Sequence, residues 1–497
     1  MNYPRRRLMK IPKFVTQAFW VISILILNIG LCGVAGAQDQ QTVKQLQQLI
    51  EQQQKQLEAQ QKALEAQNKA LRDLKNRVET LTTEEAVVEV KAAQAERLAE
   101  EAVKKAQEAK AEADRAHREA IAVDVQKEED LHRTKGKTFH IPETKTVVTL
   151  SGFIKADVIR DFDKIKSPYK FVAKDIVVRG EPSDEPSSRT TLTANPSRFV
   201  IATATPSDWG KFSTFFSFDA AENTTSSDPD FRFRQGWGQL DDLFWGGELR
   251  AGQSWSSWDD VPGQPETMDF EGPNATQQTR QGLVRWSRDF QKKYELWVAV
   301  EEPNYSIQNG KTKSAWPDTI VSLNWHGDWG HLKPALMGRQ LQGDNDNGGD
   351  DDTAFGWGAQ LTGDIKVPLL AKKDNIKFGA VYGGGIGSYN NDGGIDDAVF
   401  DGDDLKAIKS FQGYGAFQHW WLDSLRSNAV FGYVDVDNRS VQPGDTLDRT
   451  MYFAGNLVWS PIYHMDIGGE YLWGQRDNKN GDVGTARRIQ FSTKFLW

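Results

Sequence analysis

The sequence predicts an all-β transmembrane barrel of about sixteen antiparallel strands, preceded by an α-helical coiled-coil stalk. Three observations predict it. Apolar residues recur every 3.5 positions from Val43, and every two positions from Thr146 onward. Beyond Thr146, short turns alternate with long polar loops. The chain ends on "RRIQFSTKFLW", where Arg487, Ile489, Phe491, Thr493, Phe495 and Trp497 share one strand face and Arg488, Gln490, Ser492, Lys494 and Leu496 the other.

In chain order, Arg5, Arg6, Arg7, Lys10 and Lys13 precede an apolar stretch from Phe14 to Cys32, and Ala35-Gly36-Ala37 follows. A basic start, an apolar core and an A-x-A site make residues 1–37 a signal peptide, with a membrane anchor as the alternative. Cut after Ala37, the mature chain has no cysteine, so packing or a closed backbone network must hold it. The formal charge of −9 becomes −14 once the five leader cations are gone, which argues against nucleic acid as a partner. A mean hydropathy of −0.59 excludes a helical membrane bundle. Of the 17 tryptophans, 16 lie between Trp209 and Trp497, which sets the C-terminal region apart as its own domain.

The stalk spans residues 38–126. Its a positions are Val43, Ile50, Leu57, Leu64, Leu71 and Val78, and its d positions Leu46, Gln53, Gln60, Gln67, Leu74 and Leu81. The register then continues in alanine from Ala92 to Ala120. Sustained heptads specify a left-handed coiled coil, and glutamine at d fixes register at some loss of stability. A continuous rod would be on the order of 120 Å long. Such a seam implies self-association, with a trimer preferred and a dimer not excluded by the heptads alone. A single exposed charged helix or a partly disordered spacer is the alternative for the thin alanine half.

Residues 127–145 read as a polar linker, and residues 146–497 as the barrel. Strands are expected to start near Thr146, Arg198, Lys211, Phe231, Leu243, Gln281, Tyr294, Thr319, His331, Thr353, Asn375, Ser410, Arg426, Thr450, Met465 and Ala486. An even number of strands with short turns at one end and long loops at the other is the pattern of an outer-membrane barrel. The last strand is expected to pair with the first, because an open edge in hydrocarbon strands backbone polar groups at several kcal/mol each. Trp245, Trp286, Trp325, Trp329, Trp459, Tyr463 and Trp497 suit the interfacial girdles. A soluble β-sandwich is the alternative, and it would need more continuous apolar runs.

Taken together, the order of leader, glutamine- and alanine-rich coiled coil and barrel resembles the trimeric outer-membrane porins of Gram-negative bacteria, in particular the DcaP-like porins. The opening strand "VVTLSGFIKADVIRDF", the following "PSRFVIATAT" and the C-terminal aromatic carry the likeness. Such proteins mostly end in Phe, whereas this chain ends in Trp497. The resemblance implies a homotrimer in the outer membrane, a periplasmic stalk and a preference for small anionic solutes. It also implies contact with outer-membrane lipid and lipopolysaccharide, and recognition of the last strand by the barrel-assembly machinery.

The loop "SWSSWDDVPGQPETMDFEGPNATQQT", Ser254 to Thr279, carries Asp259, Asp260, Glu266, Asp269 and Glu271 and no Lys or Arg. In general porins the third loop folds into the lumen. If this one does, its carboxylates form a constriction facing a wall that needs cations. Strand parity supplies them. With Phe231, Phe233 and Trp237 outward, Arg232 and Arg234 point in. With Leu249 and Ala251 outward, Arg250 points in; with Val284 and Trp286 outward, Arg285; with Phe199 and Ile201 outward, Arg198. Arg339 has the same parity on its strand. A row of guanidiniums in a wet lumen is a ladder for carboxylate or phosphate groups. Simple solvation of a polar lumen is the alternative.

Other signals are weaker. "GDNDNGGDDD" and "DDAVFDGDD" are acidic like calcium loops, but Gly348 and Phe355 stand where ligands should be. "YGGGIG" lacks the dinucleotide spacing and a βαβ unit. Trp255 and Trp258 could stack sugars. No zinc-ligand pair, mature thiol or G-x-S-x-G elbow is present, so neither a metal, a cofactor nor an enzyme is expected. The expected function is passive diffusion of small polar, preferentially anionic solutes. The alternatives are a structural tether whose stalk binds peptidoglycan or a partner protein, and a sugar-selective porin.

Overall fold

A computed structural model describes residues 59–74, 97–110, 112–113, 122, 136–221, 230–313, 315–346, 351–368 and 370–497. The expected signal peptide lies outside the described residues, as does much of the expected stalk. The chain divides into two units, Met1–Arg115 and Ala116–Trp497.

In the first unit, residues 59–74 and 97–110 are helical. Ala, Leu, Gln, Glu and Lys dominate them, residues that give up little side-chain freedom in a helix. Glu101 and Lys105, one turn apart, pair at 3.0 Å. Leu64 and Leu71, seven residues apart, are each 60% exposed.

The second unit is a closed barrel of sixteen antiparallel strands. These are β1 (Val147–Asp161), β2 (Arg198–Ser207), β3 (Gly210–Ala221), β4 (Asp230–Leu243), β5 (Gly247–Trp255), β6 (Arg280–Phe290), β7 (Tyr294–Glu301), β8 (Asp318–Gly327), β9 (Gly330–Asn345), β10 (Asp352–Lys366), β11 (Asn375–Gly384), β12 (Lys409–Leu422), β13 (Leu425–Asp437), β14 (Leu447–Ile462), β15 (Met465–Asn478) and β16 (Val483–Leu496). Each pairs with the next, and β16 returns to β1 from Phe153↔Leu496 to Asp161↔Arg488. Every expected strand start falls within four residues of an observed one. The widest miss is β5, which begins at Gly247 rather than Leu243. Asp242, Phe244 and Trp245 take positive φ values of 61°, 40° and 57°, so the chain is still turning there.

Both edges of β1 are covered in two pieces. On one side β2 pairs with its lower part and Arg189–Thr193 with its upper part, the interruption falling at Pro196. On the other side β16 covers Phe153 to Asp161, and Trp497 exchanges backbone bonds of 3.1 and 3.2 Å with Gly152. Below it Lys137–His140, inside the stretch expected to be linker, pairs with Val147 to Leu150 in the same lane.

Strand faces follow the period of two. On β16, Phe491 and Phe495 are 61% and 48% exposed, while Arg488, Gln490 and Ser492 are buried. One group of aromatics gathers at the short turns: Trp245 stands against Trp286, and Trp325 against both Tyr294 and Trp329. An amphipathic ring suits the boundary between hydrocarbon and water.

The buried face is not an empty tube. Three of the long connections fold into it. From the 162–197 loop, Phe171 and Ile176 pack on Tyr452, Leu472 and Ala486. From the 256–279 loop, Trp258 packs on Ile320, Met337 and Val381. Ala275, from that same loop, and Ile395, from the 385–408 loop, meet Tyr414 and Val434. Glycine makes room for them: at Gly468 a Cβ would lie 2.6 Å from the Met268 sulfur.

Candidate functional site

Between β3 and β4, Ser217 pairs with Gln235 and Phe218 with Phe233, which leaves Arg234 as the extra residue of a β-bulge. A bulge re-aims side chains and shifts the parity beyond it. Phe231 and Phe233, above it, are exposed as expected. Trp237, below it, is not outward as the sequence reading held. It is 4% exposed and stacked on Phe215 inside the barrel, rings 5.2 Å apart and 5° from parallel. The bulge is the physical reason for that correction.

The same bulge concentrates charge. Arg232 grips Asp219 with two bonds of 2.9 and 2.8 Å, and Arg234 donates a third of 2.7 Å. Arg198 is the register partner of Asp219 on β2. These three arginines line a cavity together with Lys155, Arg280 and Lys494. Facing them is the descending part of the 256–279 loop, Gln264, Pro265 and Thr267 to Pro273, with Asp269 and Glu271 its only carboxylates at the cavity. Aromatic rings are interleaved with the cations. Phe153 lies 5.4 Å from Arg198 and 4.2 Å from Lys494. Phe270 lies 5.8 and 5.9 Å from Arg232 and Arg234, and Trp255 5.5 and 4.5 Å from Arg234 and Arg280. Rings at this range hold a cation and reduce its hydration.

Lys155, Arg280 and Lys494 were missed from sequence. Lys155 and Lys494 share the inward parity of their strands and were legible on the rule that found Arg198. Arg280 sits at the lip where β6 begins, and parity gives no sign of its place.

The loop carboxylates do meet the wall, but not the arginines named from sequence. Both Asp260 oxygens lie 3.0 Å from His331 Nε2. Burial alone would push the Asp260 carboxyl up, but the bond and charge of His331, with Lys333 beside it, hold it at about 2. Lys333 donates to the Asp259 carbonyl. Burial pushes the Asp259 carboxyl well above the usual carboxylate range, against the pull of Lys333 and helped by Glu301. Glu266 takes Arg426 Nε at 2.6 Å and a second bond from the same guanidinium. Asp269 lies 3.6 Å from Arg488, and burial raises its carboxyl despite that cation. Glu470 on β15 accepts the backbone N–H groups of Met268 and Asp269 at 2.9 and 2.7 Å, pinning the loop tip. Glu271 reaches Lys170 at 3.3 Å.

Arg250 and Arg285 point inward as cross-strand partners. Arg250 stacks over Trp237 at 3.7 Å and bonds Gln239 through two nitrogens; Arg285 stacks over Trp297 at 3.9 Å. Arg339 does not serve as a solute ligand. Its side chain is fully buried, held by Asp318 at 2.9 Å, Asp397 at 3.2 Å and the carbonyls of Asn304 and Gly385. The 302–317 and 385–408 loops close over it, which parity on β9 could not reveal. Trp258 is equally unavailable as a stacking platform, being fully buried. In the acidic stretch that begins at Gly343, Asp344 pairs with Lys313 at 2.6 Å. Among the described residues no group of three His, Cys, Asp or Glu side chains could hold a metal ion.

Comparison with known proteins bears on this geometry. The profile of the DcaP outer membrane protein family matches residues 80–496. Among solved structures the chain is similar to the outer membrane channel DcaP of Acinetobacter baumannii, at 19% identity and a TM-score of 0.64, over 72% of this chain and 99% of that one. It is more distantly similar to an anion-selective porin from Comamonas acidovorans, at 12% identity and a TM-score of 0.47, over 71% of this chain and 100% of that one. OmpT, an outer membrane protein of Vibrio cholerae, stands at 12% identity and a TM-score of 0.45, with 72% and 99% covered. No curated protein matches the chain.

Proposed function

The chain belongs to the DcaP outer membrane protein family and is a porin of the outer membrane; from that premise we propose that its channel prefers small anionic solutes, carboxylates foremost. One observation carries the preference: Lys155, Arg198, Arg232, Arg234, Arg280 and Lys494 converge on one cavity against two loop carboxylates. Cations outnumber acids there even with Asp219 counted, and with Asp157, which accepts from Lys155 Nζ at 2.5 Å. A guanidinium stays charged at any pH the cell meets and offers a planar fork that matches a carboxylate. Low-dielectric walls around the cavity raise the local anion concentration. Arg250 pairs in register with Gln239, five residues below Arg234 on β4, so the next cations lie about 15 Å further toward the turns. A solute released by the first group meets the second before bulk water. Passage makes and breaks no covalent bond.

Planar-bilayer recording across a tenfold KCl gradient tests the proposal. The expected reversal potential has the sign of chloride over potassium. The opposite sign, or no ion current from purified barrels, would overturn it.

We further propose that residues 1–37 are removed on export and that residues 38–126 join copies of the chain, three in the preferred assembly, as a periplasmic coiled coil. The exposed heptad pair Leu64 and Leu71 supports this, since such a stripe is poorly stable in one chain. The same stripe favours a second reading, in which the stalk tethers the membrane to peptidoglycan or a partner protein. A variant lacking residues 38–126 separates the two. Lost oligomers point to assembly, whereas intact oligomers and conductance with a weakened envelope point to tethering.

A further inference from the structure

The anion-channel reading leaves one question open: how a cluster of three arginines lets a carboxylate go. We infer that Asp219 is a resident competitor, a positioning residue that holds Arg232 and Arg234 in place and sets how briefly a solute anion stays. The inference rests on the channel reading above and adds the control of release.

The geometry points to this role. Asp219 has a side chain 1% exposed, and Arg234 beside it is 3% exposed. Arg232, on the same carboxylate, remains 38% exposed. The carboxylate therefore sits behind its arginines, and an anion in the cavity reaches them from the other side. Arg232 commits Nε and Nη2 to Asp219, and Arg234 commits Nη1. Arg198 stands directly across the β2–β3 ladder from the same residue. The bulge at Arg234 brings both β4 arginines to one carboxylate, which an unbroken ladder would spread along the strand. Three guanidiniums with one built-in anion attract a solute less than three alone. A conducting site must bind well enough to admit and weakly enough to release. Asp219 supplies the second half of that condition at the place where the first is strongest.

Single-channel recording with malonate as the probe tests it, on the full barrel, with folding checked by heat-modifiable migration. Asp219→Asn keeps size and a hydrogen-bond acceptor but removes the charge. Malonate residence should lengthen about tenfold, the effect of one unit charge a few ångströms away in a partly wet site. The half-saturating concentration should fall, and the saturating flux with it. Asp219→Glu should restore wild-type residence. A residue that merely braced the arginines would give the reverse, since loosened guanidiniums shorten residence, and that result or an unchanged residence overturns the inference. Should the Asn variant fail to fold, Ser217→Asp adds a carboxylate on the same buried face of β3; shorter residence supports the inference and unchanged residence overturns it. If the wild-type barrel proves cation-preferring, the channel reading itself has failed; if the wild type prefers anions and only the variants disagree, the role of Asp219 alone is lost.

Discussion

The two sides of the lumen use the same kind of residue in opposite ways. From β9 round to β16, Arg339, Arg426 and Arg488 have side chains at most 3% exposed, each locked to a carboxylate. From β1 to β6, Arg198, Arg232, Arg234 and Arg280 line a cavity, where Arg232 and Arg234 share the single carboxylate of Asp219. All but Arg280 obey the inward parity of their strands. Parity decides only that a cation points into the barrel. Whether it meets water or protein depends on which wall the long loops lean against. Here the apolar residues of three loops choose the far wall, through Phe171, Trp258 and Ile395. The acids of the 256–279 loop then neutralise that wall, whereas on the near wall the cations outnumber the acids they meet.

Breaking the packed side should have the largest effect. Arg339→Ala leaves Asp318 and Asp397 buried without their shared cation, which removes about 3–5 kcal/mol of local stability. Proteolysis of the 385–408 loop should accelerate sharply while the reversal potential stays at the wild-type value. A shifted reversal potential would place Arg339 in the conduction path after all. Next comes Arg426→Ala, which deprives Glu266 of its two guanidinium bonds, leaves it the one from Gln418 Nε2 at 2.9 Å, and loosens the turn end of the loop. Open-channel current noise should rise at nearly constant selectivity.

On the open side the effect is smaller in energy but visible in selectivity. Arg232→Ala with Arg234→Ala should lower the chloride-to-potassium permeability ratio about tenfold, close to 1.4 kcal/mol, and, because Asp219 is then left buried without two of its cations, with some loss of thermal stability. If the double variant melts early and keeps its selectivity, the two sides of the comparison have been assigned the wrong way round.

The smallest expected effect is one of pH, at the contact between the 162–197 and 385–408 loops. Asp392 accepts the N–H groups of Ala173 and Lys174 at 2.8 and 3.3 Å. Burial, with Glu271 nearby, raises its carboxyl to about 8. A carboxyl raised on folding favours the folded contact below its unfolded value near 4, and that contribution is lost as pH rises through about 8. Amide exchange of residues 173–176 should therefore speed up several-fold, beyond the intrinsic base catalysis, between pH 6 and pH 9. Exchange that follows intrinsic catalysis alone would remove Asp392 from that role.

Much of the barrel was legible because its rules are local. Alternation along "RRIQFSTKFLW" finds β16, and closure in hydrocarbon then demands its pairing with β1. The bulge at Arg234 was not legible, since one extra residue in fourteen leaves no mark on composition, and it turned Trp237 to the other face. The loop partners were less legible still. Nothing in the neighbourhood of Glu266 names Arg426, 160 residues away, because a loop tip finds its contact through the whole curvature of the sheet. Arg198, Arg232 and Arg234 were reached by parity alone, and their shared carboxylate at Asp219 escaped because an acid among arginines reads as ordinary solvation.

The lane beside β1 has a consequence for any attempt to lengthen this chain. Trp497 stands opposite Gly152, and Lys137 stands opposite Leu150, so Gly136 already occupies the single step between them. A residue added after Trp497 would find that step taken and would have to leave the sheet at once, whereas an insertion in the 136–140 segment would push the N-terminal piece out of line. The last strand and the 137–140 segment meet on that edge like rails at a joint, and neither can lengthen along the track without lifting the other.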